Sequence, residues 1–224
     1  MTRQYLCSAT LSFEKGGDTI TIDAKDQRAL RFKFDIRHGE AMTPNSARIT
    51  VYNLSQASEA KFQIELGKVS LSAGYEGNEG LIFKGEIIQT ITGKESLVDS
   101  FVFTLASDAG TALNYGVVNK ALASGHTYKD QVMECFKAFQ EHGVTLGHIA
   151  DLGAKRFIRG AVLTGMAADR LRSIAFATQC TPSIQNGVFQ MVKNTGTLPG
   201  DAIVLNSRTG MVGRPQQTIG GIVV

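Results

Sequence analysis

Four histidines, His38, His126, His142 and His148, are the natural first candidates for metal binding or proton transfer. A zinc pair on a helix needs two of them about one turn apart, and no two here are. His142 and His148 stand six residues apart across Gly143. Turn or surface histidines are the plainer reading. The carboxylates Asp23, Asp26, Asp35 and Glu40 can be imagined as an acid/base set, but they fall at strand ends and turns, where solvated surface is the better account. Gly74 to Gly80 is glycine-rich yet does not precede a helix. It therefore lacks the free amides and dipole of a phosphate cradle and reads as a hairpin turn. No GxSxG, HExxH or P-loop pattern occurs. Cys7, Cys135 and Cys180 are widely spaced, with no CxxC pair, which excludes a disulfide framework and a zinc knuckle. Cys135 and Cys180 lie in apolar helical patterns and read as small buried hydrophobes, consistent with folding in a reducing compartment. No catalytic, cofactor-binding or metal-binding residue is assigned, and no cofactor is expected.

The one patterned set of polar side chains is basic. Leu30 to Arg37 alternates with period two: Leu30, Phe32, Phe34 and Ile36 on one side, Arg31, Lys33, Asp35 and Arg37 on the other. The aromatic stripe is expected to be core rather than a stacking platform. The basic stripe fits a channel that passes a polyanion, an acidic partner, or simply a solvated outer face. Arg48 and Thr50 hold the polar side of the next strand.

These residues must be held by a β-rich framework. Strands are expected at Tyr5 to Phe13, Thr19 to Ile22, Leu30 to Arg37, Ala47 to Tyr52, Lys68 to Tyr75 and Leu81 to Thr92. The last carries apolar Phe83, Ile87 and Ile91, with a bend or bulge at Gly85. Asp99 to Ala106 alternates through Phe101, Phe103 and Leu105, or their neighbours. Ser55 caps a short helix from Gln56, whose Ala60 and Ile64 are expected in the core, and Gly67 sits where a glycine would end it. Six or seven sequential antiparallel strands with one packed helix predict a barrel or sandwich over residues 1–108. Residues 109–194 change character. A weak helical turn follows Asp108. Thr127 to Asp130 has capping-box form ahead of a helix burying Val132, Phe136 and Phe139. A further helix spans Gly165 to Gln179, capped by Thr164, with Leu171, Ile174 and Ala175 inward. Arg156 to Ile158 is a possible short strand. Asn186-Gly187 between alternating runs is a strong hairpin signal. This is a small α+β module. Residues 195–224 hold a linker, a strand at Ala202 to Leu205, and a final strand from Thr218 in which the chain stops; they read as the beginning of a second β domain, or as a strand that pairs with another chain.

The totals exclude some classes. Apolar residues make up 43% of the 224 and charged residues 19%, an ordinary globular balance. A net charge of +3, with no run of Lys/Arg longer than two, gives no footprint of a nucleic-acid binder. No apolar run reaches the length of a membrane span, and the N-terminus alternates rather than forming a signal peptide.

The segments TPNSARITVYNLS (residues 43–55), KVSLSAGYEGNEGLIFKGEI (68–87) and TGMVGRPQQTIGGIVV (209–224), in that order and separated by a short helix and an α+β stretch, resemble the N-terminal part of tail baseplate hub proteins of contractile-tailed phages and related injection machines. The resemblance implies a non-enzymatic structural protein with tube-like β domains, two per complete chain. The first would be residues 1–108, the inserted module 109–194, and the start of the second 195–224. It implies a homotrimer whose six β domains form a ring between a tail tube protein and a central spike protein, with Arg31, Lys33, Arg37, Arg48 and Thr50 as candidate subunit or lumen contacts. DNA would be only cargo in the channel, and the chain would not insert into a membrane. The location implied is the virion tail baseplate, after synthesis in the host cytoplasm. The alternative from a different class is a β-rich carbohydrate- or peptide-binding module.

Overall fold

The computed structural model describes residues 7–15, 18–23, 30–62, 67–75, 78–200, 213–214, 216–218 and 221–223. The chain divides into two compact units, Met1–His38 with Pro44–Gly110, and Gly39–Thr43 with Thr111–Val224.

The first unit is mainly β. Its strands are β1 (Cys7–Lys15), β2 (Asp18–Asp23), β3 (Phe32–Arg37), β4 (Ser46–Tyr52), β5 (Lys68–Tyr75), β6 (Asn78–Lys94) and β7 (Ser100–Ser107), with one helix, α1 (Gln56–Phe62), after β4. They form one antiparallel sheet in the order β2-β1-β5-β6-β7-β4-β3. The sheet is not a closed barrel: β2 and β3 each have one strand neighbour among the described residues. It folds over because β6 is 17 residues long and serves two half-sheets. Its first half pairs with β5 up to Lys68↔Glu86, and its second half pairs with β7 from Glu86↔Ser107 onward. One core results, with Leu11, Phe13, Ile22, Val69, Leu71 and Phe83 from one half and Ala47, Ile49, Val51, Ile87, Val102 and Ala106 from the other.

β6 bends about Gly85 as expected, but Gly85 is not itself a bulge residue. The register slips by one residue at Ile82 and again at Ile88, three positions on either side of Gly85. Gly85 itself is a close approach, since a Cβ there would lie 2.5 Å from the Ser107 carbonyl oxygen. Each bulge inverts which parity faces inward. Phe83 and Ile87 are core, but Ile91, past the second bulge, is 45% exposed on the outside. On β7 the neighbours take the core, Val102 and Ala106, while Phe101, Phe103 and Leu105 lie half-buried on the other face.

Two core assignments are corrected. Phe34 is 43% exposed, because β3 is a terminal strand covered from one side only; Leu30, Phe32 and Ile36 do pack on the core. Ala60 is exposed. In α1, the Ser58 amide donates to Ser55 Oγ at 3.2 Å, so Ser55 is the cap, and it is Leu54, just before it, that reaches the core. Ile64 and the helix end before Gly67 lie outside the described residues.

The second unit contains α2 (Gly110–Tyr115), β8 (Val117–Leu122), α3 (Tyr128–Gln140), β9 (Thr145–Ile149), β10 (Ala161–Met166), α4 (Ala167–Thr178), β11 (Cys180–Gln185), β12 (Val188–Lys193), β13 (Gln216–Thr218) and β14 (Gly221–Val223). Asn186 and Gly187 both have positive φ, 53° and 78°, the backbone of a type I′ turn joining β11 to β12. The α3 face Val132, Cys135, Phe136 and Phe139 is buried, with both phenylalanines against the Phe189 ring. Leu171 and Ile174 are the matching buried residues of α4. Three strands escape the sequence pattern: β8 pairs with β10, and β9 adds parallel to β12. Thr164 belongs to β10; α4 begins after Met166, without a side-chain cap. Around Arg156 there is only an isolated bridge to Thr127. The strand expected from Thr218 is instead two short paired ones, β13 and β14. The Ala202 to Leu205 segment lies outside the described residues.

Phe83→Ala empties the fully buried centre of the first unit and is expected to cost about 3–5 kcal/mol. Ala60→Ser, on the exposed side of α1, is expected to stay within about 0.5 kcal/mol. Urea unfolding of the two variants checks both values.

Candidate interaction surface

Antiparallel register decides which side chains share a face. The pairs Lys33↔Thr50, Asp35↔Arg48 and Arg37↔Ser46 place these six residues on the outer side of β3–β4. The rows continue across the sheet: Thr50↔Phe103↔Ile91 and Arg48↔Leu105↔Gln89. The structure thus brings Arg31, Lys33, Arg37, Arg48 and Thr50 together on one face. It also adds an apolar strip of Ile91, Phe103 and Leu105 beside them, which the sequence alternation did not assign. The bulge at Ile88 turns Ile91 outward, where it joins Phe103 and Leu105 of β7.

The basic residues differ in their local partners. Tyr52 is buried although it sits on the outer side, because Arg31 and Lys33 lie over its ring at 4.8 and 5.3 Å. The Tyr52 amide also donates to the Arg31 carbonyl at 2.9 Å. Arg37 meets Asp35 at 3.5 Å in an exposed pair worth about 0–1 kcal/mol. Arg48 is exposed opposite Asp35.

Past this face, β6 and β7 are joined by Glu95 to Asp99. Leu97 and Val98 at its tip are 99% and 88% exposed. The turn is nonetheless well held. The Glu95 amide donates to the Asp99 carbonyl at 2.9 Å, the Val98 and Asp99 amides donate to Ser96 Oγ, and Asn53 Nδ2 donates to Asp99 Oδ1 at 3.0 Å. Adjacent apolar residues between Ser96 and Asp99 are the sequence signal that marks it.

Among the described residues the other polar groups are mostly engaged in local contacts. Among the described residues no cluster of three or more His, Cys, Asp or Glu is placed to hold a metal ion. His38 Nε2 lies 3.0 Å from the Ile82 carbonyl, and His126 Nδ1 lies 2.8 Å from the Ala123 carbonyl while its ring stacks on Phe157. Both are structural contacts. In the second unit a cleft of about 300 Å³ is lined by polar residues including Glu40, Thr181, Ser183, Gln185 and Gln190. Several of its polar groups are engaged already. Gln190 donates to Ser183 Oγ, Thr181 donates to Asn194 Oδ1, and Gln185 donates to the Gly39 carbonyl.

Two titratable groups in the second unit have displaced pKa values, and both have structural causes. Asp130 lies below its ordinary value because the Thr127 amide and hydroxyl donate to its carboxylate, at 2.7 and 2.8 Å. This is the capping box of α3. Burial pushes the Cys135 thiol up to about 11, the opposite of what a nucleophile needs. Among the described residues no helix is long and apolar enough to cross a membrane.

No family model and no curated protein matches the sequence. Solved structures do match. A tail protein from Neisseria meningitidis MC58 superposes with a TM-score of 0.54 at 13% identity, covering 82% of this chain and 50% of that one. The 43 kDa tail protein of prophage MuSo2 from Shewanella oneidensis superposes with a TM-score of 0.58 at 10% identity, covering 93% of this chain and 61% of that one. The chain thus has the fold of phage tail proteins, and it spans half to three fifths of the length of these two.

Two outcomes follow from thiol burial and from the α3 capping box. Native protein is expected to leave the Cys135 and Cys180 thiols unmodified by a maleimide, with labelling only after denaturant is added; both are buried. The Asp130 contribution to stability is complete above the ordinary carboxylate value of 3.8 and is lost as pH falls through the lowered folded-state value. Asp130→Asn is therefore expected to be less stable than wild type at neutral pH, with the gap narrowing in acid. Thermal melts across that range measure the difference.

Proposed function

We propose that this chain is a non-enzymatic structural component of a phage tail or related contractile injection machine, the hub-like part that joins the tail tube to the central spike and lines the channel between them. The observation that carries the reading is the fold: a folded-over antiparallel sheet with an appended α+β unit, shared with two phage tail proteins over most of this chain. On this reading residues 1–108 are a first tube-like domain, 109–194 an inserted module, and 195–224 the start of a second tube-like domain. The β13–β14 pairing supports the last of these.

The protein containing this chain is a homotrimer in this account. Its partners are a tail tube protein above and a central spike protein below, with DNA as cargo in the channel. It resides in the virion tail baseplate after synthesis in the host cytoplasm. Ring closure gives the candidate contacts Arg31, Lys33, Arg37, Arg48 and Thr50 a role at a subunit boundary or a wet lumen, since a closed ring satisfies exposed sheet surfaces through neighbouring copies. A polar, mixed-charge face needs no active site to account for it.

The protein in its complete length is expected to give the mass of a trimer in native mass spectrometry and light scattering. A strict monomer at high concentration contradicts the reading.

A further inference from the structure

The Glu95–Asp99 turn holds two adjacent apolar side chains almost fully in water. Its backbone is fixed by the Ser96, Asp99 and Asn53 hydrogen bonds rather than free to fold them away. Fixed, protruding apolar residues are a knob, and contiguous exposed apolar surface on a soluble protein marks a place of association. The knob is flanked by two carboxylates, Glu95 and Asp99, against one lysine, Lys94.

The outer face of the same unit has the complementary character. Ile91, Phe103 and Leu105 form an apolar strip beside Thr50. Around it stand four cations, Arg31, Lys33, Arg37 and Arg48, against two carboxylates, Asp35 and Glu86. The knob cannot reach its own face. The turn closes the very strands that form that face, and Phe101, just after the turn, pairs in the sheet plane with Gly93, its ring filling the space a Cβ would take there.

We propose that the Leu97–Val98 turn of one protomer docks on the outer face of β3, β4, β7 and β6 of a second copy of this chain, with Leu97 and Val98 against Ile91, Phe103 and Leu105, and Glu95 toward Arg48 and Lys33. The contact joins two different surfaces, so it is heterologous and builds a ring when its rotation closes. The inference rests on the assembly reading above and names the contact within it. The acidic flanks of the knob disfavour an anionic lipid surface as the alternative occupant.

The test uses the whole 224-residue chain and sedimentation velocity over a wide concentration range. Leu97→Asp, Glu95→Arg and Arg48→Glu are each expected to weaken self-association about tenfold or more, and Glu95→Arg combined with Arg48→Glu in one chain is expected to recover most of it. These positions are exposed, so each variant is expected to keep the wild-type melting profile. In a Cys7→Ser background, mixing Val98→Cys chains with Thr50→Cys chains and a short bis-maleimide is expected to give a linked dimer that neither chain gives alone. Association unchanged by Leu97→Asp overturns the proposed contact and leaves the trimer reading standing. A wild-type chain that remains monomeric throughout also overturns the contact, whereas the trimer reading is judged separately on the protein in its complete length. Leu97-dependent binding to phosphatidylserine vesicles without self-association overturns it in favour of a membrane.

Discussion

The first unit depends on one strand belonging to two half-sheets. Glu86 in β6 pairs with Lys68 on one side and with Ser107 on the other. Between these pairings the strand must turn sharply enough for two apolar faces to meet. Two single-residue bulges supply the turn, and Gly85 between them permits the Ser107 carbonyl to approach where no Cβ would fit. The fully buried Phe83, Leu71 and Ile49 are held by this fold-over. Removing the bend would leave two flat half-sheets, each with an apolar face in water.

The same device shapes the surface. Because each bulge inverts the inward parity, apolar residues read along β6 as one stripe end on opposite sides. Phe83 and Ile87 go to the core and Ile91 goes out. Ile91 then meets Phe103 and Leu105 on the face that also carries Lys33, Arg48 and Thr50. Without the bulge at Ile88, Ile91 would point inward and leave Phe103 and Leu105 of β7 as the apolar residues of that face. The breadth of the apolar half across β6–β7, beside the cationic half across β3–β4, is therefore a consequence of how the core is closed.

Much of the β framework was legible because period-two patterning is a local signal. Lys68 to Tyr75 matches β5 at both ends, and Asn186-Gly187 marks its turn through the positive φ that the turn demands. The failures have physical causes that are not local. Bulge positions follow from partner strands, so Gly85 marks the bend while the extra residues are Ile82 and Ile88. Phe34 carries a core-like pattern but lies on a terminal strand. Ala60 lies on a helix too short to declare a face. β8, β9 and β10 are brief, and β9 pairs in parallel with a strand more than forty residues later. Of the candidate surface, the cationic half was visible as alternation. The apolar half was not, since only the register places Phe103 beside Thr50.

The fold and the mixed outer face of the first unit are what the proposed assembly reading rests on. The most direct measurement is an electron cryomicroscopy reconstruction of the assembled particle containing this chain. The account predicts three copies around an axial channel, between a tube above and a spike below, with the folded-over sheets of the first unit forming part of the ring wall. Density for the chain on the particle exterior, or in any arrangement without a central channel, contradicts it.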